Sequence, residues 1–370
     1  PRGAEISNQS LAQDAPLTLP VGAYELTIDG TGDATGAYAF QVLNAANAPS
    51  LTPGTPVSGT LAQQGHETDI YQFTATAGQR FFFDSQTVSA GTVNWRLVGP
   101  LGETIFAQAI GDVGTLPLAQ AGTYTLRIIG ANSNNAPITY TFNVVPVTDT
   151  TQVVTPGTVI SDTLGVGQTK SYTLSLPSPI LGYSDILTEN PLLTMGVTEP
   201  GGLPETNPNP FMTDNFEGPG LLSVGTYTFT VAGSGDVSGP FSFRLLNLSD
   251  PNASTLLAPG TPQSGTLTPG TSATFYRVTA NAGDQFTFTG QTLTGGTATW
   301  RLINPYGDDS TSLFAPGAAF LTTQSTGPLP FAGTYLLIIE GDGTNANPGT
   351  VNYSFIAQSL GNVPVSPPTG

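Results

Sequence analysis

The chain has 370 residues, among them one histidine, His66, and no cysteine. His66 lies in the stretch GHETDIY, and a histidine could serve there as the base of a serine nucleophile or as a zinc ligand. The stretch lacks the second histidine of the zinc-peptidase motif HExxH, and the related stretch GTSATFY later in the chain has no histidine. We therefore expect His66 to be a loop residue, and we predict neither catalytic residues nor a zinc site.

Two acidic stretches offer the oxygen ligands that calcium prefers. DGTGD contains Asp29 and Asp33, and EGDGTNAN contains Glu340 and Asp342. Neither stretch has the ligand spacing of an EF-hand, and Asp and Asn also form turns without a metal. A calcium site at these four residues and a plain turn both remain open, and no other cofactor is predicted.

The segment TEPGGLPETNPNPFMTDNFEGPG, residues 198–220, combines acidic and large apolar side chains. Long loops in compact domains often carry a function, and apolar side chains on a loop favour docking against another surface. Covering of the loop's own domain is an equally open interpretation. The acidic residues have no base partner beside them, so we do not expect the paired-carboxylate site of a hydrolase. The candidates for partner contact are Glu205, Phe211, Met212, Asp214, Phe216 and Glu217.

The charge balance excludes some partners. The formal net charge is −17, with only eight lysines and arginines together. Nucleic-acid binding needs clustered basic side chains to neutralise phosphates, and an anionic membrane surface needs them equally, so neither partner is expected. The acidic, lysine-poor composition is typical of secreted bacterial proteins, and we expect an extracellular or cell-surface location.

The apolar segments of the sequence bear on membrane insertion and on secretion. No run of 18 apolar residues is present, so no membrane insertion is predicted. The chain begins PRGAEISNQS, without the features of a signal peptide. We expect a processed product or a piece of a longer protein.

Internal repeats dominate the sequence and set its domain organisation. TPGT recurs at Thr52 and Thr155, and APGT follows at Ala258, each 103 residues after the one before. Each is followed by a GTY segment and then by a strand of the pattern aromatic-x-Phe. We predict three complete modules at 51–148, 149–254 and 255–360, preceded by the C-terminal part of an incomplete module at 1–50 and followed by a linker at 361–370.

The modules alternate in type. The first and third share the segments around Trp95 and Trp300, WRLVGPLGE and WRLINPYGD, whereas the middle one has LTMGVTEPGG in that place. The N-terminal stretch VGAYELTIDGTGDATGAYAFQVLN instead matches VGTYTFTVAGSGDVSGPFSFRLLN of the middle module. The true period is therefore a pair of modules, as in arrays whose neighbours form distinct interfaces.

Each module contains seven or eight short stretches of alternating polarity, separated by Gly, Pro, Asn and Asp. The chain has 45 Gly and 32 Pro and no helical periodicity, which predicts an all-β fold of tandem antiparallel β-sandwiches. Trp95 and Trp300 occupy equivalent strand positions. We expect them in the core rather than on a sugar-binding platform, because large aromatic residues in alternating strands usually bury.

The module sequences resemble the bacterial pre-peptidase C-terminal domain. The resemblance rests on Y-x-F-x-A-x-A-G-Q at 71–79, W-R-L-x-x-P-x-G at 95–102, A-G-T-Y-x-L-x-I at 121–128 and Y-x-F-x-V at 140–144, most of which recur in the third module. It implies a jelly-roll-like β-sandwich, found beside secreted peptidases and in surface proteins, with an accessory or structural role. The middle module departs from the pattern, because it lacks the tryptophan and carries the insertion.

Two functions are compatible with these features. We favour a non-enzymatic extracellular repeat protein, part of a surface stalk, adhesin or fibre, whose modules stack end to end on copies of themselves or on flanking modules. The alternative is a carbohydrate- or matrix-binding accessory region of a larger secreted hydrolase, with glycans as partners. Two strands alone cannot bury a core, so residues 1–50 are either a window on a longer array or a hairpin completed by strands of a neighbouring molecule.

Overall fold

The computed structural model describes residues 7–8, 17, 19–131, 133–188, 190–202, 211–212, 218–308, 317–341 and 349–364. It divides into two compact units, Pro1–Val147 and Thr148–Gly370. The predicted fold class is confirmed, since the described residues form antiparallel β-sheets arranged as tandem β-sandwiches. None of them forms a helix long and apolar enough to cross a membrane.

The first unit contains one eight-stranded sandwich. Its sheets have the strand orders β1-β8-β3-β6 and β2-β7-β4-β5, which is the two-sheet arrangement of a jelly roll. The strands are β1 (Val57–Leu61), β2 (Thr68–Ala75), β3 (Gln79–Val88), β4 (Val93–Val98), β5 (Thr104–Ala109), β6 (Val113–Leu118), β7 (Gly122–Gly130) and β8 (Ile138–Val147).

The second sandwich opens the second unit and repeats this topology with one extra edge strand, β9, which pairs in parallel with β11. Its sheets have the orders β10-β17-β12-β15 and β14-β13-β16-β11-β9. The strands are β9 (Thr150–Val154), β10 (Val159–Leu164), β11 (Thr169–Leu176), β12 (Ile180–Thr188), β13 (Asn190–Thr198), β14 (Phe211–Met212), β15 (Gly218–Leu222), β16 (Gly225–Gly233) and β17 (Gly239–Asn247).

The third sandwich has the same design, with β18 added in parallel beside β20. Its sheets have the orders β18-β20-β25-β22-β23 and β19-β26-β21-β24. Strand β26 runs two residues into the segment 361–370 that the sequence predicts as a linker. The strands are β18 (Thr255–Leu256), β19 (Pro262–Leu267), β20 (Ala273–Ala280), β21 (Asp284–Thr294), β22 (Ala298–Ile303), β23 (Ala318–Ala319), β24 (Gln324–Ser325), β25 (Gly333–Gly341) and β26 (Val351–Asn362).

Each sandwich has its own aromatic core between its two sheets. Trp95 and Trp300 are both fully buried, so they are core residues, as alternation predicts. Trp95 on β4 pairs with Ile128 on β7. At the equivalent position of the second sandwich, Met195 on β13 pairs with Val231 on β16. Met195 is also fully buried. The middle module therefore keeps the fold by placing a flexible apolar side chain where its neighbours have tryptophan.

The stretch that matches the hairpin β16–β17 behaves differently. Residues 19–44, all described, contain no strand. Tyr24 and Phe40 are 46% and 53% exposed, whereas their counterparts Tyr227 and Phe243 are buried in the second sandwich. The apolar side of the N-terminal hairpin sequence is thus open in the single chain.

Candidate functional site: a buried joint between the second and third sandwiches

An interface buried inside the second unit is the most elaborate polar site among the described residues. The outer face of β12 and β17 in the second sandwich packs against the outer face of β20, β22 and β25 in the third. Strand β25 is buried along seven consecutive residues, as expected for a strand covered on both faces. We call this interface the joint. Its buried apolar residues are Tyr183, Leu248, Ala273, Phe275, Ile303, Leu336 and Ile338.

One polar element of the joint is a clamp on the backbone of Ala273, the first residue of β20. The Asp185 carboxylate accepts a hydrogen bond from the Ala273 N–H at 3.2 Å, and the Arg244 guanidinium donates to the Ala273 carbonyl at 2.9 Å. Asp185 and Arg244 also form an ion pair, with Nε and Oδ2 2.5 Å apart. These two hydrogen bonds fix the orientation of the Asp185–Arg244 pair relative to β20, because both go to the backbone, which cannot rotate as a side chain does.

A second polar element is centred on Glu340, which pairs with Ala273 across β20 and β25. One carboxylate oxygen accepts two hydrogen bonds from Arg301 on β22, at 3.1 and 2.6 Å, and the other accepts from the phenol of Tyr183 in the second sandwich. The Tyr183 ring packs edge-on against Phe275, with centroids 5.0 Å apart. Buried charges are tolerated when they are paired and hydrogen-bonded in this way.

Burial raises the pKa of Asp185 to about 6. The Arg244 ion pair and the Ala273 N–H oppose the shift, and the nearby Glu340 carboxylate adds to it. The loss of hydration dominates because the Asp185 side chain is fully buried. The joint therefore holds a carboxyl group that titrates well above its usual range.

A short connector, residues 248–254, links the second sandwich to the third. Leu248 N–H donates to the Leu181 carbonyl at 2.8 Å, and a 3₁₀ turn follows at Pro251–Ala253, capped by the Asp250 side chain. Arg277 on β20 donates hydrogen bonds to the carbonyls of Pro251 and Ser254. The connector is thus tied to both sandwiches rather than being a free linker.

Glu340 is placed differently from its sequence-based assignment. EGDGTNAN suggested a loop ligand for calcium, but Glu340 lies on β25, buried, and its carboxylate is engaged by Arg301 and Tyr183. Asp29 and Asp33 are exposed, and Asp342 lies outside the described residues. The described part of the chain contains no group of three potential metal ligands. Calcium binding at Asp29 and Asp33 stays a prediction.

Three further sequence candidates, His66, Phe211 and Met212, are among the described residues and are not part of the joint. His66 is half-buried, and its Nε2 contacts the carbonyl of Asn134. Phe211 and Met212 form β14, which pairs with β13 at the edge of the second sandwich. The proposed partner-contact residues Glu205, Asp214, Phe216 and Glu217 lie outside the described residues, so contact through this insertion stays a prediction.

The polar residues of the joint were not singled out from the sequence. A signal was present in YSDIL, where Asp185 stands two residues after Tyr183 on one side of an otherwise apolar strand. An unpaired charge at such a position would be costly. The third module offers a similar signal in YLLIIEG, a continuous apolar run where half-burial would require alternation.

Comparison with known proteins identifies no family. The sequence matches no family profile and no curated protein. Among solved structures, the pre-peptidase C-terminal domain of a Bacillus anthracis collagenase is similar at 21% identity and a TM-score of 0.23, over 26% of this chain and 94% of that one. The periplasmic lysozyme inhibitor PliG of Aeromonas hydrophila is similar at 16% identity and a TM-score of 0.21, over 26% and 95%.

A third similar structure holds the M60 catalytic domain with the CBM51-1 and CBM51-2 domains of Clostridium perfringens ZmpB. It is 10% identical, with a TM-score of 0.18, over 84% of this chain and 38% of that one. TM-scores of this size assign neither a family nor a function to the chain.

Proposed function

We propose that the chain is a non-enzymatic, extracellular structural segment of a repeat protein, in which β-sandwiches stack through buried joints into a stalk, adhesin body or fibre. The observation that carries this proposal is the joint, where an apolar cluster and two carboxylates, each paired with a partly buried arginine, lie between two sandwiches. A binding module on a flexible tether would not need so large a buried contact with its neighbour.

The alternation of modules supports the same function. Units that stack in an array need two complementary faces. When two types of module alternate, each type can carry one of these faces, so that no face has to be complementary to itself. In the second unit, the middle-type sandwich provides Tyr183, Asp185 and Arg244, and the tryptophan-type sandwich provides Phe275 and Glu340. The acidic, lysine-poor surface favours an extracellular setting.

Calorimetry of the full chain tests whether the joint is a structural coupling. If the second and third sandwiches act as one unit, they unfold in one transition, and the enthalpy per transition exceeds that of a single sandwich. The variant Glu340→Gln should split this transition, while the conservative variant Thr104→Ser in the first sandwich should leave it unchanged. Independent melting of the two sandwiches in the unaltered chain would contradict the proposal.

A glycan array probed with the full chain tests the alternative. Saturable binding of one sugar class, abolished by a surface substitution that leaves the melting temperature unchanged, would support a carbohydrate-binding accessory region instead. Electron microscopy of the native material addresses assembly. Filaments with a repeat of one or two module pairs support the fibre version, and particles that never associate contradict it.

A further inference from the structure

The last two strands of each complete sandwich occupy central places in its two sheets. In the first sandwich, β7 lies between β2 and β4 in one sheet, and β8 lies between β1 and β3 in the other. The second and third sandwiches place β16, β17, β25 and β26 in the same way. We call such a pair the closing strands. They pair with four neighbouring strands and not with each other, so a segment with their sequence cannot form a sheet by itself.

The N-terminal segment, residues 22–44, has the local geometry of closing strands although it forms no strand. The Tyr24 hydroxyl donates to the carbonyl four residues earlier at 2.7 Å, as the matching tyrosine of the first sandwich does at 2.8 Å. Gly32 has φ 64°, and the matching turn glycine of the second sandwich has φ 63°. The rings of Tyr38 and Phe40 stack with centroids 6.5 Å apart, and the matching rings of β17 lie 6.3 Å apart. The segment is thus shaped for a place between strands that it lacks.

The core-facing residues of this segment are those of the first sandwich. The closing strands of the first sandwich bury six side chains in its core, Tyr124, Leu126, Ile128, Tyr140, Phe142 and Val144. The same residue types stand at the matching positions, Tyr24, Leu26, Ile28, Tyr38, Phe40 and Val42. The second sandwich differs at four of these positions, with Phe229, Val231, Phe241 and Leu245. Only the turn, GTGDATG, follows the second sandwich, which has GSGDVSG. The segment therefore combines a middle-type turn with a tryptophan-type core side.

The strand opposite this core side changes in step with it. In both tryptophan-type sandwiches an isoleucine pairs with the tryptophan and a leucine pairs with a leucine. In the second sandwich a valine pairs with Met195, and Phe229 pairs with Val197. The larger residue moves from one strand to the other while the core stays filled, as close packing requires. With Leu26 and Ile28, the N-terminal segment fits a strand that carries tryptophan and leucine.

Another position excludes a middle-type partner sterically. Tyr140 lies opposite Gly59 on β1, and a Cβ added to Gly59 would collide with the phenol group. The third sandwich has the same tyrosine–glycine pair. The second sandwich has Asp162 opposite Phe241, which lacks the hydroxyl. Tyr38 therefore needs a glycine opposite it.

We propose that residues 22–44 are a docking element that inserts between the strands of a tryptophan-type sandwich, as the closing strands of a set like β1–β6. The three sandwiches described here already have their own closing strands, so the partner strands belong to a further sandwich of the array. Burial of Tyr24, Leu26, Tyr38 and Phe40, which are between 46% and 66% exposed in the single chain, drives the association. The inference rests on the proposed function and names the partner of this segment by its core residues.

Two extended chains test the proposal. In the tryptophan-type extension, residues 51–121 take the place of residues 1–21, so that a second copy of β1–β6 precedes Gly22. In the middle-type extension, residues 149–224 take that place and supply a second copy of β9–β15. The three natural sandwiches are unchanged in both chains.

Chymotrypsin cleavage after Tyr24 and Phe40, identified from the masses of the fragments, reports whether the segment is docked. Both side chains are exposed in the 370-residue chain, so both sites should be cut readily there. We expect the tryptophan-type extension to be cut at least about tenfold more slowly at both sites. The middle-type extension should be cut like the 370-residue chain, because Tyr38 does not fit beside an aspartate.

Matched variants separate a specific fit from a general effect of the added residues. In the added segment, Gly59→Ala should restore rapid cutting, whereas Gly114→Ala, where a Cβ meets nothing within 4 Å, should not. The triple variant Leu26→Phe, Ile28→Val and Tyr38→Phe gives the segment the core side of the middle type. It should reverse the preference, with slow cutting in the middle-type extension and rapid cutting in the other.

Each outcome decides one part of the proposal. Slow cutting of the tryptophan-type extension alone, reversed by the triple variant, supports it. Equal protection in both extensions, or protection in the middle-type extension alone, overturns the assigned partner. Rapid cutting in both extensions overturns the docking role itself. None of these results bears on the joint, so the stacking function stands or falls separately by calorimetry of the unaltered chain.

Discussion

Tyr183 of the second sandwich donates a hydrogen bond to the Glu340 carboxylate of the third, 157 residues further along the chain. Arg301 holds the other oxygen of the same carboxylate at 2.6 Å. Glu340 is therefore oriented by Arg301 of its own sandwich and hydrogen-bonded by Tyr183 of the neighbouring one. A contact of this kind stabilises one register of stacking, because any slip would leave the buried carboxylate short of a partner.

Loss of a partner from this network should be costly. We expect Arg301→Met to lower the free energy of unfolding of the second unit by about 3 kcal/mol, since it leaves the buried Glu340 without its cation. The matched variant Arg96→Met, at the equivalent position of the first sandwich, removes a hydrogen bond to the Thr104 hydroxyl and should cost about 1 kcal/mol or less. Urea denaturation of both variants measures the difference, and equal losses would contradict the role of Glu340.

A double-mutant cycle isolates the contact across the joint. Tyr183→Phe, Glu340→Gln and the double variant should give a coupling free energy of about 1 to 2 kcal/mol, because the hydrogen bond involves a buried charged acceptor. A coupling near zero would mean that the two side chains contribute independently.

Stability should depend on pH through Asp185. Its pKa is raised by burial from 3.8 to about 6, so the folded state binds this proton more tightly than the unfolded state. The contribution of this group to the free energy of unfolding therefore increases as the pH falls from about 6 to about 4, by at most about 3 kcal/mol. Asp185→Asn should remove that part of the pH profile, measured as the difference between the two chains across pH 4 to 7. A difference that does not change with pH would contradict the raised pKa.

Close packing in the core predicts a strict requirement for glycine at one strand position. Gly59 lies on β1 beneath Tyr140, and an added Cβ would collide with the phenol group, which donates to Asp69 at 2.5 Å. We expect Gly59→Ala to cost about 2 kcal/mol or more through overpacking. Gly114→Ala on β6, where a Cβ meets nothing within 4 Å, should change stability by about 0.5 kcal/mol or less. Thermal unfolding followed by circular dichroism distinguishes the two, and similar losses would refute the packing argument.

Tandem sandwiches were predictable because turn residues and alternation act locally. VNWRLV alternates so clearly that Trp95 could be assigned to the core, and the structure buries it completely. The joint was harder to predict because it forms between residues far apart in sequence. Glu340 illustrates the difficulty: beside GDGTNAN it resembles a loop ligand, and only the pairing of β25 with β20 places it opposite Ala273. Outward residues such as Phe275 also have the same residue types as core residues, so one sequence cannot distinguish a covered outer face from an inner one.

The two tryptophans allow the coupling to be followed in each half of the chain separately. Trp95 lies in the core of the first sandwich and Trp300 in that of the third, so Trp95→Phe leaves fluorescence that reports only the third sandwich, and Trp300→Phe leaves a reporter of the first. Adding Glu340→Gln should move the fluorescence transition of the Trp95→Phe chain to lower urea, by about 0.5 M or more for a loss of 1 to 3 kcal/mol. The same addition should leave the transition of the Trp300→Phe chain unchanged, because the first sandwich does not contain the altered network. Equal shifts in both backgrounds would show that Glu340 acts on the whole chain, and no shift in either would remove the joint as a source of stability.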